Sequence, residues 1–159
     1  MSRLSDCLSK GQLREVQVDP EKVAADLRSA LSDLDGARAS YHYGNWDQAT
    51  TRAYFALYRA CQAALLSRGF TNTNLYGLCV GLDALFAQPD HLPVDIAKRI
   101  REAKTAKDAA YEWGHSSAAD ARRVLGWTVE GVREILKTLA VPGVDWTLVE
   151  PDLPEPRQK

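Results

Sequence analysis

The stretch NWDQATTRAYFALYRACQAALLSRG, residues 45–69, decides the fold. Ala49, Ala53, Ala56, Ala60 and Ala64 recur at spacings of three and four, so they line one face of an α-helix as a strip of small side chains. Tyr54, Leu57, Tyr58, Cys61, Leu65 and Leu66 widen the apolar surface around that strip. A helix this apolar needs neighbours on more than one side, and the alanines let one of them approach closely. It starts near Asn45 to Asp47 and stops after Arg68, at Gly69. This segment is therefore expected at the centre of a helical bundle.

Working outward, Asp19-Pro20-Glu21 opens the preceding helix with a capping Asp, a proline in the first turn and an acid near the positive end. Val23, Leu27, Leu31, Leu34, Ala37 and Tyr41 then form its apolar stripe, and Gly44 ends it. A short helix from Leu4 to Lys10, closed by Gly11, stands before it. After Gly69, Thr71-Asn72-Thr73-Asn74 reads as a polar turn and cap leading into a helix from Leu75 to Phe86, in which Gly77 and Gly81 permit tight packing. The loop Gln88 to Pro93 breaks the chain. A fifth helix spans about Val94 to Glu112, and Gly114 ends it. Ser117 with Asp120 makes a near capping box for a sixth, whose face carries Ala121, Leu125, Thr128, Val132, Leu136 and Leu139.

Short connections between helices favour antiparallel neighbours. The expected fold is all-α, an up-and-down bundle of five to six helices with an extended proline-rich C-terminal tail. The expected boundaries are 1–18 for a short helix and linker, 19–141 for the bundle and 142–159 for the tail. Four of the seven prolines fall in that tail, whose acids (Asp145, Glu150, Asp152, Glu155) outnumber Arg157 and Lys159. Trp146, Leu148 and Val149 are its candidate anchors, either docked on the bundle or offered to a partner.

Composition agrees with this reading. The 159 residues hold 22 Ala and 19 Leu against 11 Val and 3 Ile, a balance that favours helix over sheet. A 45% hydrophobic content argues against disorder, and no apolar run of about 18 residues offers a membrane span. The formal net charge of -1 removes the electrostatic argument for a general nucleic-acid binder. The N-terminus has no apolar secretory core, so a cytoplasmic location is expected. Cys7, Cys61 and Cys79 lack metal-ligand spacing and His42, His91 and His115 are scattered, so no metal and no cofactor is expected.

The segments 27–44, 45–70 and 106–139 resemble the HEPN family of small prokaryotic helical domains. Arg-Ala-Tyr-Phe-Ala-Leu at Arg52 to Leu57 carries the likeness most specifically, and the Ser-capped, Ala-rich last helix adds to it. The resemblance implies a bundle of about five helices that dimerises, in the setting of a toxin–antitoxin pair or beside a nucleotidyltransferase. It also implies, for ribonuclease members, an Arg and a His separated by four to six residues and paired across the dimer. This sequence departs from that pattern. Its nearest pair, Arg38 and His42, has three residues between and lies in the second helix, while thirteen separate Arg101 from His115 in the expected region.

The fifth helix is the most basic segment, with Lys98, Arg99, Arg101, Lys104 and Lys107 against Asp95, Glu102 and Asp108. Lys104, Lys107 and Tyr111 share a helical face and are candidates for a phosphate or nucleotide contact, or else for a solvated, ion-paired face. Arg52 and Arg59, seven apart on the central helix, could frame an anion or pair with Asp26, Asp33 or Asp47. No catalytic set is read; the nearest candidates are His115 and Arg101. Ala49, Ala53, Ala56, Ala60 and Tyr54, with Trp146, are the expected interface residues, since a symmetric homodimer would bury the surplus apolar face. The functional expectation is a non-catalytic, dimeric, HEPN-like binding module acting through a cognate toxin or antitoxin or a nucleotidyltransferase. The alternatives are a divergent metal-independent ribonuclease and a nucleotide-binding bundle.

Overall fold

The computed structural model describes residues 2–86, 92 and 95–157. Six α-helices, α1 (Arg3–Ser9), α2 (Pro20–His42), α3 (Trp46–Ser67), α4 (Leu75–Phe86), α5 (Ile96–Trp113) and α6 (Ala118–Leu139), form a helical bundle. Two short strands, β1 (Leu13–Glu15) and β2 (Phe70–Asn72), pair antiparallel beside it. The expected break at 88–93, with His91, lies outside the described residues except for Leu92. Among the described residues no helix is long and apolar enough to cross a membrane.

The caps act as their chemistry dictates. The Asp19 carboxylate accepts from the N–H groups of Glu21 and Lys22, and Pro20 follows it at the first helical position. Ser117 and Asp120 form a complete reciprocal capping box, so aspartate serves where glutamate or glutamine is usual. Gly114 closes α5 at φ +63°.

Helix α3 packs against α2, α4, α5 and α6, which places it at the centre. Ala49, Ala53, Ala56, Ala60, Ala63 and Ala64 have no exposed surface, and Leu57, Cys61 and Leu65 are equally buried. From the other side α6 contributes Val124, Leu125, Val132 and Ile135, and at Gly131 a Cβ would lie 2.8 Å from the Leu57 Cδ1. One polar group crosses this seam. The buried Thr128 hydroxyl donates to Ala53 O or Val124 O, both at 2.9 Å, so its burial is compensated.

One expectation needs correction. Thr71 and Asn72 are not part of a polar turn: Phe70–Asn72 is a strand, Asn72 is buried and donates to the Tyr58 hydroxyl at 2.8 Å, and the cap is Asn74, which accepts from Gly77 N at 2.7 Å. In the N-terminal segment, expected as a short helix and linker, Cys7 of α1 and Leu13 of β1 belong to the same core as α3.

The tail is extended, but it is docked. Val144 and Val149 are buried, Leu153 packs on the core, and a short 3-10 turn spans Trp146–Leu148. Of the three expected anchors, Leu148 is 62% exposed and contributes none; Val144 takes that part.

Candidate functional site

Aromatic side chains collect where α3 meets α5. Lys104, Lys107 and Tyr111 do share a face of α5, and that face meets Tyr54 and Phe55 of α3. The Lys107 Nζ lies 5.7 Å from the Tyr54 ring, 5.6 Å from Phe55 and 5.7 Å from Tyr111, an arrangement in which three quadrupoles attract one cation. Asp108 completes the cluster, with one carboxylate oxygen 3.1 Å from Lys107 and the other 2.5 Å from Lys104. These hydrogen bonds, Lys104 foremost, hold the Asp108 carboxyl below the usual range despite some desolvation. Tyr54 is nearly covered, and burial raises its phenol pKa so that it stays protonated. Phe55 and Tyr111 keep 40% and 76% of their surface in solvent, so the cluster presents two aromatic faces outward.

The other sequence candidates divide. Arg59 pairs with Asp33 at 2.8 Å, and Arg52 lies over Gly36, where any Cβ would collide with its guanidinium. Both therefore serve the α2–α3 contact, and they frame no common anion site. Asp47 pairs with neither; its carboxylate accepts from Ser116 N at 2.9 Å while the Thr50 and Ser116 hydroxyls bond at 2.7 Å, tying the α5–α6 loop to the start of α3. His115 lines a shallow cleft with Glu102, Thr105, Asp120 and Arg123. Arg101 stands near the other end of α5, about 18 Å away along the axis at 1.5 Å per residue, so one protomer does not bring Arg101 and His115 together.

Ala49, Ala53, Ala56, Ala60 and Tyr54 were expected between protomers, and the structure relocates them. The alanines have no exposed surface and Tyr54 has 4%, because α2, α5 and α6 of the same chain cover them. Trp146 sits on its own α6, its ring 5.3 Å from the Arg133 guanidinium and 4.7 Å from the Lys137 ammonium.

Arg38 and His42, four residues apart and so on one face of α2, have a different partner. The Arg38 guanidinium donates to the carbonyls of Glu150 and Asp152, and His42 Nδ1 donates to Glu155 O at 2.8 Å. Arg157 N returns a bond to His42 O at 2.6 Å. The closest Arg–His pair in the sequence thus holds the tail.

Comparisons with protein-family models, with curated proteins and with solved structures give no match to this chain. Its surface has to be read from its own chemistry.

Two aspects of the α3–α5 cluster were hidden in the sequence. Phe55 stands half in solvent beside the wholly buried Ala56, and nothing in a helical stripe distinguishes its exposed neighbour as part of a site. The juxtaposition of Tyr54 and Phe55 with Lys107 depends on how α3 crosses α5, which no local spacing encodes. Chemically, the cluster offers flat apolar faces around two lysines that share one carboxylate and keep a net charge of +1. An entering phosphate would have to displace Asp108 from two lysines, whereas an apolar or aromatic side chain could settle on Phe55 and Tyr111 without breaking an ion pair.

Proposed function

We propose that this chain is a non-catalytic, HEPN-like binding module that dimerises and acts through a protein partner, and that the Phe55–Tyr111 face is its contact surface. The observation carrying this reading is the pair of outward aromatics set around Lys107, which Asp108 already engages. Exposed tyrosine and phenylalanine held rigidly by a packed scaffold are the side chains that anchor protein interfaces, because they bury much area for little lost entropy. The likeness at Arg52 to Leu57 supplies the setting, a toxin–antitoxin pair or a nucleotidyltransferase mate.

The test is co-expression with the product of the neighbouring open reading frame. A complex is expected to co-purify, and Tyr111→Ala or Phe55→Ala is expected to weaken it at least tenfold, the about 1.4 kcal/mol or more that truncating an interface anchor costs. Circular dichroism should stay unchanged, since Tyr111 is largely exposed and Phe55 lies outside the buried core. A complex indifferent to both substitutions would sink the assignment of the face. Metal-independent RNA cleavage lost on His115→Ala would replace the non-catalytic reading altogether.

A further inference from the structure

Residues 144–157 occupy a groove between α2 and α6 and are held there chiefly through their main chain. Nearly every polar contact is made to main chain: Arg38 to the carbonyls of Glu150 and Asp152, His42 to that of Glu155, and Arg157 N to His42 O. The apolar contacts are a few plugs, Val144 and Val149 buried and Leu153 lying against Gly126 of α6. Charge agrees at the α2 end, where Arg38 and Arg122 face a segment carrying Glu150, Asp152 and Glu155, while along α6 Arg133 and Lys137 are balanced by Glu130 and Glu134. This is how a protein binds a separate extended peptide: main-chain groups fix the register and spaced side chains fill pockets.

The connection to α6 is suited to opening. Ala140 is held at φ 48°, a left-handed conformation unfavourable for a residue with a Cβ, and Gly143 turns at φ +79° with open space around it. Straightening this connector relieves Ala140 and carries the tail away from its own groove. Each of these contacts is then available to the same segment arriving from another molecule.

We propose that the α2–α6 groove is a peptide-recognition site whose occupant in trans is the tail of a second copy, so that two chains exchange residues 144–157 about the hinge at 140–143. The exchange uses none of the α3–α5 aromatics, so it stands or falls separately from the partner surface above.

Variants of the full chain with one added cysteine test it. Gly126→Cys and Leu153→Cys are mixed under mildly oxidising conditions; the native Cys7, Cys61 and Cys79 are buried and do not compete. A covalent mixed dimer is expected on a non-reducing gel, several-fold above the yield of Leu153→Cys mixed with Thr105→Cys, an exposed α5 site outside the groove. Adding Arg38→Ala to the Gly126→Cys chain, or excess synthetic peptide 144–157, should bring the yield down to that control. The double variant Gly126→Cys/Leu153→Cys should close within one chain. Mixed dimer at the control level while the double variant closes overturns the exchange, and failure of the double variant to close overturns the groove contact itself. Tyr111→Ala should leave the yield untouched; loss there would attribute the dimer to the aromatic face and overturn the exchange.

Discussion

Gly77 shows how much a single missing methyl group can decide. In a helix interior glycine costs roughly 0.5–1 kcal/mol relative to alanine, so α4 tolerates Gly77 and Gly81 only because something must come close. At Gly77 that neighbour is the Gln12 carbonyl at the start of β1, and at Gly81 it is the Leu65 side chain, 2.8 Å from where a Cβ would stand. A leucine methyl can rotate aside; a carbonyl in a strand connection cannot. Gly77→Ala is therefore expected to lose about 2 kcal/mol net of any gain in propensity, and Gly131→Ala, which meets only the Leu57 Cδ1, less than half of that. Urea unfolding of the two variants reads the difference, and equal midpoints would disprove the steric argument. The sequence announced that these glycines permit tight packing, but it could not name the partner, because Gln12 lies on an element far away along the chain.

Among the elements, legibility followed locality. The caps at Asp19, Ser117 and Gly114 and the stripes of α2, α3 and α6 are local patterns, and they were readable to within a residue or two. Ser117→Ala removes one side of a complete capping box and is expected to cost about 1 kcal/mol, measured as a lowered unfolding midpoint, with amide exchange rising first in the opening turn of α6. An unchanged midpoint would mean that α6 draws its stability from packing alone. The strands escaped notice because three residues carry no period, and their pairing joins Leu13 to Asn72. The docked tail escaped for a related reason. Its proline spacing declares an extended chain, yet its seat is built by Arg38 and His42, more than a hundred residues earlier. Of the candidate site, the α5 face with Lys104, Lys107 and Tyr111, and the i, i+4 pairing of Lys104 with Asp108, were legible from helical spacing, whereas its α3 half required the packing.

For the whole molecule, three cysteines on α1, α3 and α4 report on one continuous core. All three are buried, and at Cys61 burial raises the thiol pKa well above its ordinary value, so no reactive thiolate forms in the folded state. Labelling with a disulfide reagent at neutral pH should be negligible in the native protein and should proceed at one rate for all three thiols as denaturant approaches the unfolding transition. Earlier labelling of Cys7 alone would show that α1 and β1 detach as a separate unit, with a boundary near residue 18.

The pairing of β1 with β2 also orders events in time. It closes a loop containing the whole of α2 and α3, and for an unstructured chain of that length the ends meet only at a considerable entropic cost. Once α2 and α3 have zipped together through the three-residue turn at 43–45, their outer ends already lie side by side, and little search is left for Leu13–Glu15 to find Phe70–Asn72. The helical hairpin is thus the natural nucleus and the strand pair a late latch, a sequence in which a non-local contact forms at little expense.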